Sequence, residues 1–210
     1  MDEMKFKTKN GYLFFEVSSA FQKAVRRNEE ESAMYFGVEL FNSGYDEYLW
    51  KRIKIISSED IGLASPQMPI LIAALYENYT AIKKEKKAGK PERIFLVHAI
   101  LQLCRAKKSR LVDYALMNYW RSHDKEKLPI PDYALDQHTS KGKQMGRGVD
   151  HFFNEGAFLI NHVEQEFEAS YKKKALHLCK TTTAVQFTNF GNNMPGPNLF
   201  NDDVDIETEL

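Results

Sequence analysis

The sequence lacks the short motifs that identify several common enzyme classes. It has no G-x-x-x-x-G-K-[ST] loop to cradle a triphosphate, no H-E-x-x-H, no C-x-x-C and no G-x-S-x-G. Cysteine is scarce, and Cys104 and Cys179 stand far apart without metal-ligand spacing, which predicts reduced thiols. Because no complete catalytic constellation replaces these motifs, the sequence favours a protein that is not an enzyme and binds no cofactor.

Long apolar runs and a secretory leader are also missing. No stretch approaches the roughly 20 apolar residues that cross a bilayer. The start of the chain, MDEMKFKTKN, is charged and has no apolar signal core. We therefore expect a cytoplasmic protein with no membrane partner. With 210 residues, 43% of them hydrophobic, the chain is long enough for a globular domain with a core.

Charge is balanced over the whole chain but unevenly distributed along it. The 29 Lys and Arg residues match 29 Asp and Glu residues, yet residues 198–210 hold five of the acids and no base. Residues 1–197 therefore carry more basic than acidic side chains. A basic body with an acidic tail suits a polyanionic partner, because the tail can compete with that partner for the basic surface. A solvated tail beside ordinary surface lysines explains the same pattern.

The residue pattern predicts an all-α fold, a bundle of six to seven helices with short connections. Asn10-Gly11 between β-prone runs predicts an N-terminal β-hairpin over residues 1–17. Apolar residues at helical spacing predict one helical domain over residues 18–180. The composition of the end of the chain predicts a flexible, disordered acidic tail over residues 181–210.

Local signals place individual helices. Asn28 is expected to cap a helix together with Glu31, and Ser65-Pro66 to begin a helix that runs to Ala88. A last helix is expected over residues 149–171. His98 lies among apolar neighbours and is interpreted as a core histidine.

The segment WKRIKIISSEDIGLASPQMP, residues 50–69, changes character abruptly. Leu49, Ile53 and Ile56 recur at helical spacing, and the two serines that follow compete for backbone hydrogen bonds. Gly62 then permits a turn that other residues resist. We interpret Ser58-Glu59-Asp60 as structural: it ends one helix and pairs with Arg52 or Lys54 from the preceding turn.

Two basic segments are candidates for contact with DNA. Glycines let backbone N–H groups approach phosphate while cations attract it, and K-G-K and G-R-G precede a predicted helix. The segment CRAKKSR places further cations at a helix junction. The predicted DNA-binding residues are Lys107, Lys108, Arg110, Lys141, Lys143 and Arg147. Nearby Tyr114, Tyr119 and Trp120 fit either a core stripe or a stacking platform for exposed bases. A flexible turn with solvated cations is the alternative for these segments.

The stretch DYALDQHTSKGKQMGRGVDHFFNEGA, residues 132–157, also holds ligand-type side chains. His151 and Glu155 lie one helical turn apart and could act as metal ligands or as an acid–base pair, although their spacing matches no established site. An alternative function is therefore a metal-assisted hydrolase or nuclease. It would use Asp136, His138, His151 and Glu155, with Asp150 nearby.

One long segment resembles a known family. Residues 21–67, FQKAVRRNEEESAMYFGVELFNSGYDEYLWKRIKIISSEDIGLASPQ, resemble the C-terminal region of MgsA/RarA-type AAA+ ATPases, relatives of the Werner-helicase-interacting protein. The SEDIGL run is its most specific part. The similarity extends over roughly residues 19–137, whereas the ATPase motor is missing and HTSKGKQMGRGVDHFFNEGA replaces the glycine- and tyrosine-rich ending of the family.

The resemblance implies a collar-plus-oligomerisation module that forms tetramers. It also implies a place at stalled replication forks, where the family binds DNA ends and single-stranded-DNA-binding protein. We therefore expect a stand-alone, non-ATPase oligomerisation module. It would bind DNA or a replication or repair partner, such as single-stranded-DNA-binding protein, a sliding clamp or a separate ATPase. A protein adaptor that acts through the acidic tail is a third hypothesis; QFTNF, residues 186–190, has a form that clamp-docking motifs take but is short enough to occur by chance.

Overall fold

The computed structural model describes residues 6–85, 88–125 and 127–181, and this part of the chain is helical and forms no named strand. Its α-helices are α1 (Phe14–Arg27), α2 (Glu30–Asn42), α3 (Asp46–Ile56), α4 (Met68–Lys84), α5 (Arg93–Arg105), α6 (Leu111–Ser122), α7 (Ser140–Gln144), α8 (Val149–His151) and α9 (Glu168–Thr181). The all-α class is thus confirmed for the described residues, which form nine α-helices and not the predicted six to seven. No helix among them is both long enough and apolar enough to span a membrane.

Backbone contacts divide the chain into two compact units, residues 1–127 and residues 128–210. The predicted helical domain of residues 18–180 spans both. Residues 182–210, which include most of the predicted acidic tail and the QFTNF segment, lie outside the described residues. Each unit is considered by itself below.

The core of the first unit lies between α1, α2, α3, α4 and α5. Helix α3 supplies the predicted Leu49, Ile53 and Ile56, all fully buried. Burial of each such side chain contributes about 1.5–3 kcal/mol, so the helical spacing of these residues explains why α3 forms and how it faces. The other fully buried side chains of the core include Phe21, Val25, Ala33, Leu40, Trp50, Ile61, Ile72, Tyr79, Ala99, Ile100, Leu103 and Cys104.

The predicted N-terminal hairpin is not confirmed. A turn does form at Asn10-Gly11, but it closes with one antiparallel bridge, between Lys7 and Leu13. From Phe14 onward the chain is helical, because Phe14, Val17 and Phe21 repeat at helical spacing and are buried. Tertiary burial therefore overrides the β-propensity of residues 12–17. Residues 1–5 lie outside the described part of the chain.

Asn28 ends a helix rather than beginning one, so the predicted capping box is wrong. Its backbone is left-handed, with φ 61°, and its N–H donates to the Val25 carbonyl at 3.2 Å. Asparagine tolerates this conformation better than most residues, which suits it to the end of α1. Helix α2 then begins at Glu30 without a side-chain cap.

Two other predictions about the first unit are corrected. Helix α4 begins at Met68, not Pro66, because Ser65 and Met68 close a turn through an N–H···O bond of 2.9 Å. His98 is exposed on α5, where it lies 3.3 Å from Gln102, and is not a core histidine. The inward face of α5 is formed instead by Leu96, Ala99, Ile100 and Leu103.

In the described part of the second unit α7 and α8 are short, α9 has 14 residues, and little is buried. The expected helix over residues 149–171 is wrong: α8 ends at His151, and a π-helical turn, Phe152–Gly156, follows it. Asn161 and Phe167 then take positive φ values of 60° and 67°, which a helix does not allow. Within residues 128–181, Gly142 is the only buried residue.

A charged cluster joins α3 to α4. Tyr79 donates from its hydroxyl to Asp46 Oδ2 at 2.7 Å, and Lys83 forms an ion pair with the same carboxylate. Burial alone would raise the pKa of Asp46, but the bonds from Lys83 and Tyr79 outweigh it and leave that pKa lowered. The cluster thus holds the start of α3 against the second half of α4.

We predict that Asp46→Asn destabilises the chain at neutral pH and not in acid. The pKa of Asp46 is lower when folded, so its contribution is present above the unfolded-state pKa and is lost as the pH falls through the folded-state pKa. We expect the free energy of unfolding to drop by about 1–3 kcal/mol at pH 7, measured by urea denaturation. The control Asp124→Asn removes a carboxylate that is 99% exposed and should change little; equal effects of both variants would contradict the prediction.

Candidate functional site

The segment Ser57–Ile61 that follows α3 is a π-helical turn built around a buried carboxylate. Asp60 is 1% exposed. Its Oδ1 accepts a hydrogen bond from Arg26 Nε at 2.6 Å, and its Oδ2 accepts one from Gln22 Nε2 at 3.0 Å. Because a buried charge is costly unless it is paired and hydrogen-bonded, these two α1 side chains are what allow Asp60 to sit here.

The same turn also holds the start of α6. Arg110 lies with Nη1 3.5 Å from Asp60 Oδ1 and Nη2 3.7 Å from Glu59 Oε1, and it pairs with Asp113 one turn later. The backbone N–H of Ser109 donates to the Asp60 carbonyl at 3.0 Å. Glu59 is shared, since Arg26 Nη2 lies 2.8 Å from its Oε1.

These contacts place Ser58-Glu59-Asp60 in a structural arrangement and correct its partners. The expected pairing with Arg52 or Lys54 is replaced: Arg52 donates to Gln22 Oε1, and Lys54 lies over the ring of Tyr76. The residues that sequence reasoning missed are Gln22 and Arg26, which lie 38 and 34 positions before Asp60. No local pattern indicates a partner at that separation.

Helix α6 contributes no buried residue to the structure. Tyr114, Tyr119 and Trp120 are 58%, 71% and 79% exposed, so their interpretation as core residues is wrong. Its aliphatic residues are exposed as well: Leu111, Val112, Leu116 and Met117. A groove of about 400 Å³ lies between α6 and α3 and is lined by Ile55, Val112 and Leu116. We call the exposed apolar residues of α6 the α6 face.

Two of the three candidate DNA-binding side chains in the first unit, Lys108 and Arg110, bind partners within that unit. Lys108 Nζ donates to the Cys104 carbonyl at 2.7 Å and the Ala106 carbonyl at 3.1 Å, and burial lowers the pKa of this lysine. Arg110 is held by the three carboxylates described above. Lys107 is exposed.

The candidate cations of the second unit divide in the same way. Arg147 Nη2 lies 2.7 Å from Asp132 Oδ1, its Nη1 donates to the Leu135 carbonyl at 2.8 Å, and its side chain is 16% exposed. The hydrogen bond from Arg147 lowers the pKa of Asp132. Lys141 and Lys143 are exposed on the short helix α7.

Gly142 between these lysines serves packing rather than phosphate contact. Its N–H donates to Thr139 Oγ1 at 3.0 Å, so this donor is occupied by the helix cap. A Cβ at Gly142 would overlap the backbone carbonyl of Asp136. Glycine is therefore required at position 142 because the backbone of Asp136 passes so close to it. No pattern in the sequence indicates this close approach.

Of the acidic and histidine residues predicted as metal ligands or as an acid–base pair, Asp136 and His138 form one local pair. His138 Nδ1 lies 3.1 Å from Asp136 Oδ2, and the backbone N–H of His138 donates to Asp136 Oδ1 at 2.9 Å. This backbone bond lowers the pKa of Asp136. Glu155 is exposed, and Asp150 pairs with Lys180 at 2.5 Å. Across residues 6–85, 88–125 and 127–181, no three His, Cys, Asp or Glu side chains are grouped closely enough to hold a metal ion.

The fold and these sites define a helical module whose most distinctive feature is an exposed apolar helix fixed by an acidic turn. The chain belongs to the MgsA AAA+ ATPase C-terminal family, whose sequence profile matches residues 28–184. The resemblance found in the sequence is thereby confirmed. It also extends beyond residue 137, so the segment that follows still matches the family.

The chain is similar to the C-terminal part of larger curated proteins. It is 32% identical over 145 residues to replication-associated recombination protein A of Bacillus subtilis strain 168, covering 68% of this chain and 33% of that protein. It is 32% identical over 158 residues to ATPase WRNIP1 of Dictyostelium discoideum, covering 70% of this chain and 16% of that protein. It is 29% identical over 149 residues to replication-associated recombination protein A of Haemophilus influenzae, covering 68% of this chain and 31% of that protein. The chain thus spans a third or less of these relatives.

We predict that Gly142→Ala disorders the turn that carries Lys141 and Lys143. The new Cβ overlaps the Asp136 carbonyl, and overpacking of this kind costs about 1–3 kcal/mol or more. Limited proteolysis between residues 128 and 181 should become clearly faster. Gly148→Ala is the matched control, since nothing lies within 4 Å of its added Cβ. Equal proteolysis rates in the two variants would show that the backbone relaxes around the added methyl group.

Proposed function

We propose that the chain is a non-motor oligomerisation module of DNA replication or repair, which associates with copies of itself and binds DNA or a replication partner. The observation that carries this proposal is the α6 face. Several relatives are named replication-associated recombination protein A, and we extend that cellular context to this chain. A tetramer is the assembly that the family resemblance leads us to expect.

The size and chemistry of the α6 face support association with protein. Three aromatic and four aliphatic side chains are exposed along one 12-residue helix, and such a concentration of exposed apolar side chains is typical of interaction surfaces. Tyr119, Trp120 and Arg121 are consecutive in the sequence, and these residue types contribute most of the binding energy in many protein interfaces. The chain has no net charge, so copies are not driven apart by long-range repulsion.

The DNA-binding part of the proposal now relies on lysines that project into solvent. Lys107, Lys141 and Lys143 are exposed, whereas Lys108, Arg110 and Arg147 have the internal partners described above. A lysine that binds phosphate displaces counterions, which makes the affinity depend steeply on salt. A single-stranded-DNA-binding protein, a sliding clamp or a separate ATPase chain is the kind of protein partner that fits this context.

We predict that Trp120→Ser weakens self-association at least tenfold. The indole is 79% exposed at the end of α6, and its loss removes the largest apolar contact of the α6 face. Sedimentation equilibrium at micromolar concentration measures the effect. Ile70→Ser is the matched control, because Ile70 is 71% exposed on α4. A monomeric wild-type chain, or equal effects of both variants, would contradict association through α6.

We predict that changing Lys107, Lys141 and Lys143 to Glu abolishes DNA binding. Fluorescence anisotropy with single-stranded, duplex and forked DNA at two salt concentrations measures this, and wild-type affinity should fall steeply as salt rises. A control variant changes the exposed Lys51, Lys84 and Lys173 to Glu, which alters the net charge equally. Loss of binding in both variants would indicate a nonspecific charge effect. No wild-type binding at low salt would refute the DNA-binding proposal.

A further inference from the structure

Helix α6 is attached to the first unit at one end. Its principal contacts with earlier described residues fall on the π-helical turn Ser57–Ile61 and on the 3-10 turn Gly62–Ala64. Val112 Cγ2 would lie 3.1 Å from a Cβ placed on Gly62, so the first turn of α6 packs closely there. The helix has no buried side chain, although Leu116 in its second turn still lines the groove beside Ile55 of α3.

Polar contacts add to the packing of Val112 in holding this attachment. An isolated helix of 12 residues is only marginally stable in water, and α6 gains no stability from a buried apolar stripe. Arg110 supplies what burial does not, because it connects the start of α6 to Asp60 and Glu59 and closes onto Asp113. The Arg110 guanidinium carbon also lies 5.7 Å from the Tyr114 ring centroid, so the same side chain supports the second turn.

Asp60 does not depend on Arg110 for its own charge balance. Arg26 already pairs with Asp60 at 2.6 Å, and Gln22 occupies the other carboxylate oxygen. Removal of Arg110 therefore leaves the buried carboxylate with its closest partners. This separation makes Arg110 a residue whose loss is expected to affect α6 more than the core.

We propose that Arg110 is a positioning residue that fixes the orientation of α6 and thereby preorganises the α6 face for docking to a second copy of the chain. The docking part rests on the proposed function, whereas the orientation of α6 rests on the geometry alone. A preformed surface binds more tightly because less conformational entropy is lost on association. Arg110 therefore acts on the proposed interface through the start of the helix and not through DNA phosphates.

The test compares the full chain with its Arg110→Met and Arg105→Met variants. Methionine keeps a long side chain but removes the charge. Arg105 is the matched control, because it forms an exposed ion pair with Glu30 at 2.8 Å at the end of α5, away from the π-helical turn. Hydrogen exchange of the amides of residues 111–122 is measured together with the self-association constant.

In Arg110→Met we expect amide exchange in α6 to rise at least tenfold and self-association to weaken at least tenfold. Exchange in α3 and α5 should stay unchanged, and Arg105→Met should change neither quantity. Arg110→Lys, which keeps the charge but not the planar fork, should give an intermediate result and remains available if Arg110→Met does not fold. Unchanged exchange in α6 would overturn the proposal, above all if DNA affinity fell, since Arg110 would then be a phosphate contact.

The two proposals fail in different ways. If α6 exchange rises but neither wild type nor variant associates, Arg110 positions α6 and the self-association under the proposed function is wrong. If the wild type associates and Arg110→Met associates equally well despite faster α6 exchange, the link between orientation and docking is wrong. Trp50 is fully buried and Trp120 is exposed, so acrylamide quenching separates a loosened core from a loosened α6 in the same samples.

Discussion

The buried carboxylate of Asp60 is the interaction on which the arrangement of the first unit depends. A charge that is 1% exposed persists only with partners, and these come from distant parts of the chain. Gln22 and Arg26 reach it from α1, while Arg110 reaches it from the start of α6. Since Asp60 itself belongs to the turn after α3, one side chain relates three helices to one another.

A similar division between side chains with internal partners and exposed side chains is found in each unit. Cations that look alike in the sequence divide into two groups: Arg26, Arg110 and Arg147 balance carboxylates, while Lys107, Lys141 and Lys143 point into solvent. The apolar residues divide as well, because the core is complete without α6. The apolar residues of α6 are therefore exposed without disturbing the core, which is the arrangement that the proposed oligomerisation module needs.

Periodicity was enough to predict the all-α class and the inward face of α3, because both depend on residues three or four apart. It was not enough for α6, where apolar residues at the same spacing face solvent; spacing shows that a stripe exists, not what covers it. The start of α1 was missed because burial of Phe14 and Val17 overrides their β-propensity. The structural interpretation of Ser58-Glu59-Asp60 agreed with the geometry, but its partners lie tens of residues away and leave no local pattern.

The sharing of one carboxylate among three helices also constrains how the sequence can change over evolutionary time. Substitution of Asp60 alone would leave Arg26 with Glu59 only, and substitution of Arg26 alone would leave the buried Asp60 with Gln22 and the more distant Arg110. Because these side chains share contacts, the effects of changes at the two positions should not be additive. Lys107, Lys141 and Lys143 are exposed and have no such mutual dependence, so each can change one at a time while the contacts that hold α6 remain fixed.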